Sequence, residues 1–416
     1  MSLRPEFRAH VDEEGRLVLP PEVVSRYGLR PGAQLRIEDA ANGLRLRQPI
    51  THLAKVYVEA TNRCNLECRT CIRNGWNEPL GQMDSATFSC VIDGLRAFPP
   101  PPTIFFGGFG EPLAHPNIIE MVAQAKALGG RVELITNGIL LTKDVSRRLI
   151  TAGLDLLWVS LDGATPESYA DVRLGAALPE LLANLKAFRD ARGPDRYLAL
   201  PRIGIVFVVM KCNVADLPAV LRLGERLGAT RFLVSNVLPY TKEMCQETLY
   251  PHVLTSLVYS HSIYHLELPK LDVSPITRKA LYEVMRAGLS TSLAGSSLAE
   301  ANDRCPFIER GVTAIAWDGS LSPCLPLLHS HVSFLNQQER VSRRYVVGKV
   351  TDRAVRDLWN APDYVAFRER VQLFEFSPCT ACGGCNLSET NEEDCFGNPF
   401  PTCGGCLWAQ GMIHCP

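Results

Sequence analysis

Between residue 53 and about residue 240 the sequence passes six times from an apolar strand pattern to a helical one, and few folds accept that order. Apolar, β-branched runs at 55–60, 103–107, 131–136, 156–161, 202–210 and 231–238 read as strands. The stretches between them repeat at helical spacing. One helix runs from Ser85 to Phe98 behind Asp84 or Ser85 as N-cap. Leu178, Leu181, Leu182, Leu185 and Phe188 form one face of another, and Asp216 opens a third that ends at Gly228. Successive strand–helix units require parallel strands and right-handed crossovers. The expected class is α/β, as an open sheet or a complete or partial barrel. Barrels carry their chemistry at the C-terminal strand ends, so the loops that leave the strands hold the candidates.

The loop after the first strand reads Cys64-Asn65-Leu66-Glu67-Cys68-Arg69-Thr70-Cys71. Its three thiols can turn to one point. Thiolates anchor iron–sulfur clusters, and three of them on a 4Fe-4S cube leave one iron open to a ligand. A zinc site would want a fourth ligand nearby. After the second strand comes Gly107-Gly108-Phe109-Gly110-Glu111-Pro112, after the third Thr136-Asn137-Gly138, and after the fourth Ser160-Leu161-Asp162-Gly163, with Arg173 beyond. Glycines admit a close ligand, and Glu111 can accept from an ammonium group. Ser160 and Asp162 share a strand face and suit ribose hydroxyls. The Arg173 fork matches a carboxylate. Singly these are turn signals; their weight lies in falling one after another on the rim of the cysteine loop.

Fifteen cysteines are many for a chain of 416 residues. The chain offers no signal core at its N-terminus, and its longest apolar run, 203–210, is too short for a bilayer. We therefore expect a cytoplasmic protein with no membrane association, where cysteines serve metal or redox chemistry rather than disulfides. The formal net charge of -1 does not call for nucleic acid. Beyond the rim group, Cys305, Cys324, Cys379, Cys382, Cys385, Cys395, Cys403, Cys406 and Cys415 crowd the C-terminal region, while Cys90, Cys212 and Cys245 stand apart and read as small buried hydrophobes. The paired C-x-x-C steps also fit a zinc ribbon, although His329, His331 and His414 are not in a zinc-like register. Four segments result: a small β-rich unit at 1–50, the strand–helix region at 51–240, a helical bridge and linker at 241–304, and a cysteine-rich region at 305–416. The bridge carries helical patterns at 249–265 and 275–287 and a Ser/Gly/Ala-rich linker at 290–299. The last segment has one helix near 354–373 and needs a metal staple.

The Cys64/Cys68/Cys71 spacing with the loops that follow resembles the radical S-adenosylmethionine (SAM) superfamily from about residue 55 to 238. The resemblance implies a partial (β/α)6 barrel whose open iron is chelated by SAM, and one-electron cleavage of SAM to methionine and a 5′-deoxyadenosyl radical. Carried over, it places Gly108, Gly110, Glu111 and Pro112 at the methionine amino group, Ser160 and Asp162 at the ribose with Asn137 nearby, and Arg173 at the carboxylate. Thr70 departs from the aromatic residue usual before the third cysteine, and Trp76 can compensate. The C-terminal cysteines resemble the SPASM extension of radical SAM maturases, which implies two auxiliary 4Fe-4S clusters. Eight thiolates suffice and nine are present, so the assignment to clusters stays open. Leu325 follows Cys324 where sulfatase-maturing relatives have an Asp base, which argues against formylglycine chemistry.

The string Gly15-Arg16-Leu17-Val18-Leu19-Pro20-Pro21-Glu22, with Gly28 to Gly32, resembles the AbrB-like swapped-hairpin family, in which many members dimerise and bind DNA. Acids are interleaved with Arg16, Arg26, Arg30 and Arg36, so docking or dimerisation is the preferred role. That unit, together with the tail from Asp394 to Gly411, is similar to the radical SAM maturases associated with tungsten-containing aldehyde ferredoxin oxidoreductases. The implied partners are a tungsten-containing oxidoreductase or its pterin cofactor as substrate and a ferredoxin- or flavodoxin-type electron donor. Two other readings remain at this point: a peptide-modifying enzyme that forms thioether or carbon–carbon links, and an iron–sulfur redox sensor regulating transcription.

Overall fold

The computed structural model describes residues 7–29, 35–40, 43–193, 195, 199–250, 265–269, 271, 274–286, 290–293, 304–335, 337–377, 379–380 and 385–416. Six parallel strands stand side by side in chain order: β1 (Lys55–Val58), β2 (Thr103–Phe106), β3 (Val132–Thr136), β4 (Leu156–Ser160), β5 (Arg202–Val209) and β6 (Ala229–Asn236). The helices between them are α1 (Ser85–Leu95), α2 (Ile118–Ala127), α3 (Lys143–Thr151), α4 (Pro166–Val172), α5 (Leu178–Ala191) and α6 (Leu217–Arg226). Asp84 opens α1 by accepting from the Thr87 amide at 2.7 Å, and Thr142 opens α3 by accepting from Val145 at 3.3 Å. Prolines in the first turns of α4, α5 and α6 fix the entry of the chain at no hydrogen-bond cost.

All five residues of β4 are buried, as are Leu134 and Ile205 on its two neighbours and Phe106 on β2. A parallel sheet covered on both faces demands such near-continuous apolar strands, and each fully buried Leu, Ile or Phe contributes about 1.5–3 kcal/mol. The parallel register sets the strand ends in a row, with Val58 opposite Phe106, Thr136 opposite Val159 and Ser160 opposite Val206. The loops read from the sequence therefore share one rim.

The sheet is longer than six strands. Beyond β6 lie the parallel strands β7 (His265–Leu268) and β8 (Ser290–Leu293). Beside β1 lies parallel β9 (Val312–Ile315), followed by antiparallel β10 (Ser320–Ser322) and β11 (Gly348–Lys349). The order runs from β8 to β11 without those ends pairing, so the barrel is partial. The expected linker at 290–299 thus begins as a strand. An outer strand carries little apolar surface, and Ser290-Thr291-Ser292-Leu293 gives no apolar run to read. The rest of that linker, and most of the helical pattern at 249–265, lie outside the described residues; the second bridge helix is Pro275–Arg286.

The single helix expected near 354–373 is two, Val355–Trp359 and Pro362–Leu373. Pro362 cannot continue a helix from the preceding turn, and it drives Ala361 into an extended conformation. In the N-terminal unit His10–Val11 pairs with Leu17–Val18, and Arg36–Ala40 with Gly43–Arg47, around the helix Pro21–Arg26. The first turn closes on Asp12, whose carboxylate accepts from the amides of Glu14 and Arg16, with Gly15 at positive φ. Arg16 pairs with Glu14 at 2.8 Å, while Arg30 lies outside the described residues. No helix among the described residues is long and apolar enough to cross a membrane.

Candidate active site

The cysteine octet is pinned at several points to the rim. The Arg69 amide donates to the Val172 carbonyl at 2.9 Å and that of Glu67 to Leu174 at 3.3 Å, so the loop runs along the end of α4. The Arg69 guanidinium reaches Asp171 at 3.3 Å and Glu247 at 3.2 Å. Arg73 donates to the carbonyls of Asn62 and Leu66, and Asn74 to that of Cys68. The Tyr240 hydroxyl donates to the Arg69 carbonyl at 2.6 Å. Leu66 and Cys68 are buried, and Cys64 and Cys71 are half-buried beside them.

Each thiol faces a donor. Arg173 Nη1 lies 3.6 Å from the Cys68 sulfur and Asn137 Nδ2 lies 3.8 Å from that of Cys64, while the Arg73 guanidinium acts electrostatically on Cys71. Guanidinium and amide N–H groups aimed at sulfur are what cluster thiolates require around them. The residues present therefore fit a 4Fe-4S cluster held by Cys64, Cys68 and Cys71. Among the described residues no three Cys, His, Asp or Glu side chains gather as a single metal ion would need.

The rim loops lock to one another through backbone contacts that only glycine permits. A Cβ on Gly110 would lie 2.1 Å from the Thr61 carbonyl oxygen and 2.6 Å from that of Arg63. The next amide, Glu111, donates to the same Arg63 carbonyl at 2.8 Å. The Glu111 carboxylate accepts from Thr136 Oγ1 at 2.8 Å, the Asn137 amide at 2.7 Å and the Leu113 amide at 3.0 Å. Burial pushes its pKa up against those three donors. Pro112 follows in a buried turn. Asn137 spans the gap to the octet, donating to Asn65 at 2.8 Å.

Asp162 is 0% exposed. It accepts from the Val208 amide at 2.7 Å and from Arg173 Nε at 2.6 Å, and its backbone carbonyl accepts from Asn213. Burial opposes the charge of Arg173, but Asp162 and then Cys68 outweigh it and hold the guanidinium above its ordinary range. The sequence reading sends Glu111 and Asp162 toward a bound cofactor; the structure gives both carboxylates partners within the protein. Asp162 fixes Arg173, and Arg173 meets the cysteine loop. Ser160, at the end of β4, Gly108 and Asn137 border the same rim.

Sequence reasoning missed a third buried carboxylate at this rim. Glu59, directly after β1, accepts from the Phe109 amide at 3.1 Å and bonds His329 Nε2 at 2.7 Å. Trp76 and Phe109 pack against that imidazole with centroids 4.5 and 5.9 Å away. An acid at the end of an apolar strand was the available signal for Glu59. Nothing local could pair it with a histidine 270 residues on.

A second thiol group is built around a cavity lined by Cys305, Cys324, Cys403 and Cys406 together with Leu238 and Phe367. Burial pushes all four thiols up, Cys305 to about 12, and neighbouring members repel one another when ionised. Bound iron removes that penalty, because a coordinating thiol is deprotonated outright. These residues too fit a cluster. Cys415 stands off the cavity lining, with its sulfur accepting from the Trp408 indole at 3.3 Å. Cys379 is half-buried and Cys385 and Cys395 are exposed, while Cys382 lies outside the described residues. Of the isolated cysteines, Cys90 packs against the core and Cys212 is exposed rather than buried.

A partial parallel barrel with a three-thiol rim, joined through its own sheet to a four-thiol cavity, is the layout of an iron–sulfur enzyme. Residues 58–210 match the model of the Radical SAM superfamily, and residues 305–386 match SPASM, an iron–sulfur cluster-binding domain. The chain is 33% identical over 368 residues to the tungsten-containing aldehyde ferredoxin oxidoreductase cofactor-modifying protein of Pyrococcus furiosus, covering 87% of this chain and 96% of that one. It is 27% identical over 349 residues to a mycofactocin maturase of Mycobacterium ulcerans, covering 83% of each. Among solved structures it shares the fold of anSMEcpe with bound AdoMet, with a TM-score of 0.55 and 15% identity over 82% of this chain and 92% of that one. The chain belongs to the radical SAM superfamily and, within it, to the family of the tungsten-containing aldehyde ferredoxin oxidoreductase cofactor-modifying protein. It is accordingly a SAM-dependent enzyme with iron–sulfur clusters, a radical SAM maturase.

Proposed function

We propose that this enzyme modifies the pterin cofactor of a tungsten-containing aldehyde ferredoxin oxidoreductase. The observation that carries the reading is the match to the Pyrococcus furiosus protein, which extends over 96% of that chain and is not confined to the barrel that all radical SAM enzymes share. A peptide substrate comes second. The PqqA peptide cyclase of Gluconobacter oxydans is 31% identical, but over only 44% of this chain and 49% of that one.

In this reading Cys64, Cys68 and Cys71 hold the cluster that binds SAM, and bound SAM supplies a radical able to abstract hydrogen from the substrate. The protein's own part is placement. Asp162 orients Arg173 beside Cys68, and Asn137 bridges from β3 to the octet. Glu111 ties the loop after β2 to the loop after β3. Gly108, Gly110, Pro112 and Ser160 would border bound SAM, and Trp76 packs edge-on against Phe109 at the same rim. One auxiliary cluster takes Cys305, Cys324, Cys403 and Cys406. The other takes Cys379, Cys382, Cys385 and Cys395, which leaves Cys415 spare. A low-potential electron carrier of the ferredoxin or flavodoxin type supplies the electron.

The test is to incubate reduced, reconstituted enzyme and SAM with a tungsten oxidoreductase, either apo or loaded with its cofactor. Polypeptide and released cofactor are then weighed separately by mass spectrometry. The expected result is a mass change on the cofactor and none on the polypeptide. A change confined to the polypeptide, or on neither while SAM is consumed, would overturn the proposal.

A further inference from the structure

Arg340 stands on the strand Gln338–Ser342, which pairs antiparallel with His331–Leu335 and sets Arg340 opposite Ser333. Its side chain enters the four-thiol cavity, where the residue is 4% exposed. A buried guanidinium costs several kcal/mol unless an anion meets it. No carboxylate does so among the described residues, and the Nη1 hydrogen bond goes to the neutral Ser388 carbonyl. The groups that act on it with opposite sign once ionised, as iron ligation requires, are the thiols of Cys379, Cys406 and Cys403. Contact with the Cys403–Cys406 turn is close. A Cβ on Gly405 would stand 2.8 Å from the Arg340 Cζ, so glycine between the two cysteines is what lets the guanidinium lie there. Burial lowers the pKa of Arg340, and the three thiols offset only part of that. Two of them line the cavity, and the third, Cys379, belongs to the other cysteine group.

We propose that Arg340 is a positioning residue for electron transfer, a fixed cation beside the auxiliary cluster held by Cys305, Cys324, Cys403 and Cys406 that raises the reduction potential of that cluster. The inference rests on the four-thiol cavity being a cluster site. A cluster gains one negative charge on reduction, and in a low-dielectric pocket a neighbouring cation favours the reduced form. Besides the thiols, the other titratable side chain on the cavity wall, His331, is held neutral by burial, with its pKa down to about 4; a second cation, Arg370, also acts on Cys403 but is not part of the cavity lining, so Arg340 is the permanent charge on the wall itself.

The experiment uses the full chain, reconstituted anaerobically. Iron and sulfide analysis of Cys324→Ala against the parent tests the cavity itself, and the EPR signal lost in that variant identifies the cluster. Redox titration of that signal then tests Arg340. Arg340→Gln should keep the iron and shift the midpoint to more negative potential, while Arg340→Lys stays at the parental value. The potential of the Cys64/Cys68/Cys71 cluster should not move. An unchanged midpoint in Arg340→Gln with full iron overturns the proposal. Should Arg340→Gln lose that cluster, Arg340→Lys decides. Recovery of both iron and potential supports the role of the charge, and failure to recover either makes the residue a packing element and ends the proposal. Loss of no iron in Cys324→Ala would instead sink the cavity reading beneath it.

Discussion

Replacing Asp162 by Asn separates two roles for that carboxylate. The side chain is fully buried, and its Arg173 partner is 12% exposed on the side chain. The Asn oxygen can still accept from the Val208 amide, so the substitution removes charge and leaves shape. Arg173 is then a buried cation that has lost its carboxylate partner, with the Cys68 sulfur 3.6 Å from Nη1. Breaking one side of a buried ion pair costs about 3–5 kcal/mol. The assay is urea unfolding of the cluster-free protein under reductant, comparing Asp162→Asn, Arg173→Met and the double variant. The single Asn variant should lose that amount. The double variant should recover much of it, because no charge is stranded, which appears as a large coupling energy in the cycle. A carboxylate kept for a ribose would behave differently: cluster-free stability would hold and only SAM binding would weaken. A loss below about 1 kcal/mol, the range of solvated surface pairs, would refute the reasoning and return Asp162 to the ligand.

Gly110→Ala should fold its barrel but fail to seat the cysteine loop, since the new Cβ meets two backbone oxygens inside 3 Å; reconstitution should then fall short by one cluster, about four irons. Cys305→Ala, Cys403→Ala and Cys406→Ala should each lose the cavity cluster, whereas Cys415→Ala should keep the parental iron content of about twelve atoms for three 4Fe-4S clusters. His331 has its pKa lowered from 6.5 to about 4 by burial. A depressed folded value means stability is complete above pH 6.5 and declines as pH falls toward 4, by up to about 3 kcal/mol. Urea midpoints measured across that window should fall in the parent and flatten in His331→Gln. For Glu111, raised by burial, the sign reverses: its contribution is complete below pH 4.5 and is lost as pH rises through its folded value, a slope that Glu111→Gln should remove.

The strands β1 to β6 were legible because each is buried on both faces and must be apolar throughout. The outermost strands were not, because Ser290 to Leu293 need satisfy only one neighbour and carry no apolar signature. The rim residues were legible as types and less so as roles. Composition showed carboxylates at Glu111 and Asp162, but a buried carboxylate is claimed by the nearest donors, here the Asn137 amide and Arg173. Those donors come from the next strand and the next helix, and local spacing does not record such contacts. The same holds for the nine C-terminal cysteines, whose grouping depends on where Cys403 and Cys406 return to meet Cys305 and Cys324 across a hundred residues of chain.

The two cluster sites are mechanically one object. β9 pairs with β1 in parallel, and the chain then runs through β10 to Cys324 and His329. The imidazole returns to Glu59, the first residue after β1, and Glu59 also receives the amide of Phe109 from the loop after β2. Trp76, five residues past the last rim cysteine, packs on that imidazole. A shift of the cysteine-rich region would therefore pull on the octet and on the Gly108–Glu111 loop together. With a single sheet running beneath both thiol groups, the separation between the rim cysteines and the four-thiol cavity is set by backbone pairing rather than by a flexible linker. That is the arrangement an enzyme needs if electrons are to pass between them across a fixed gap.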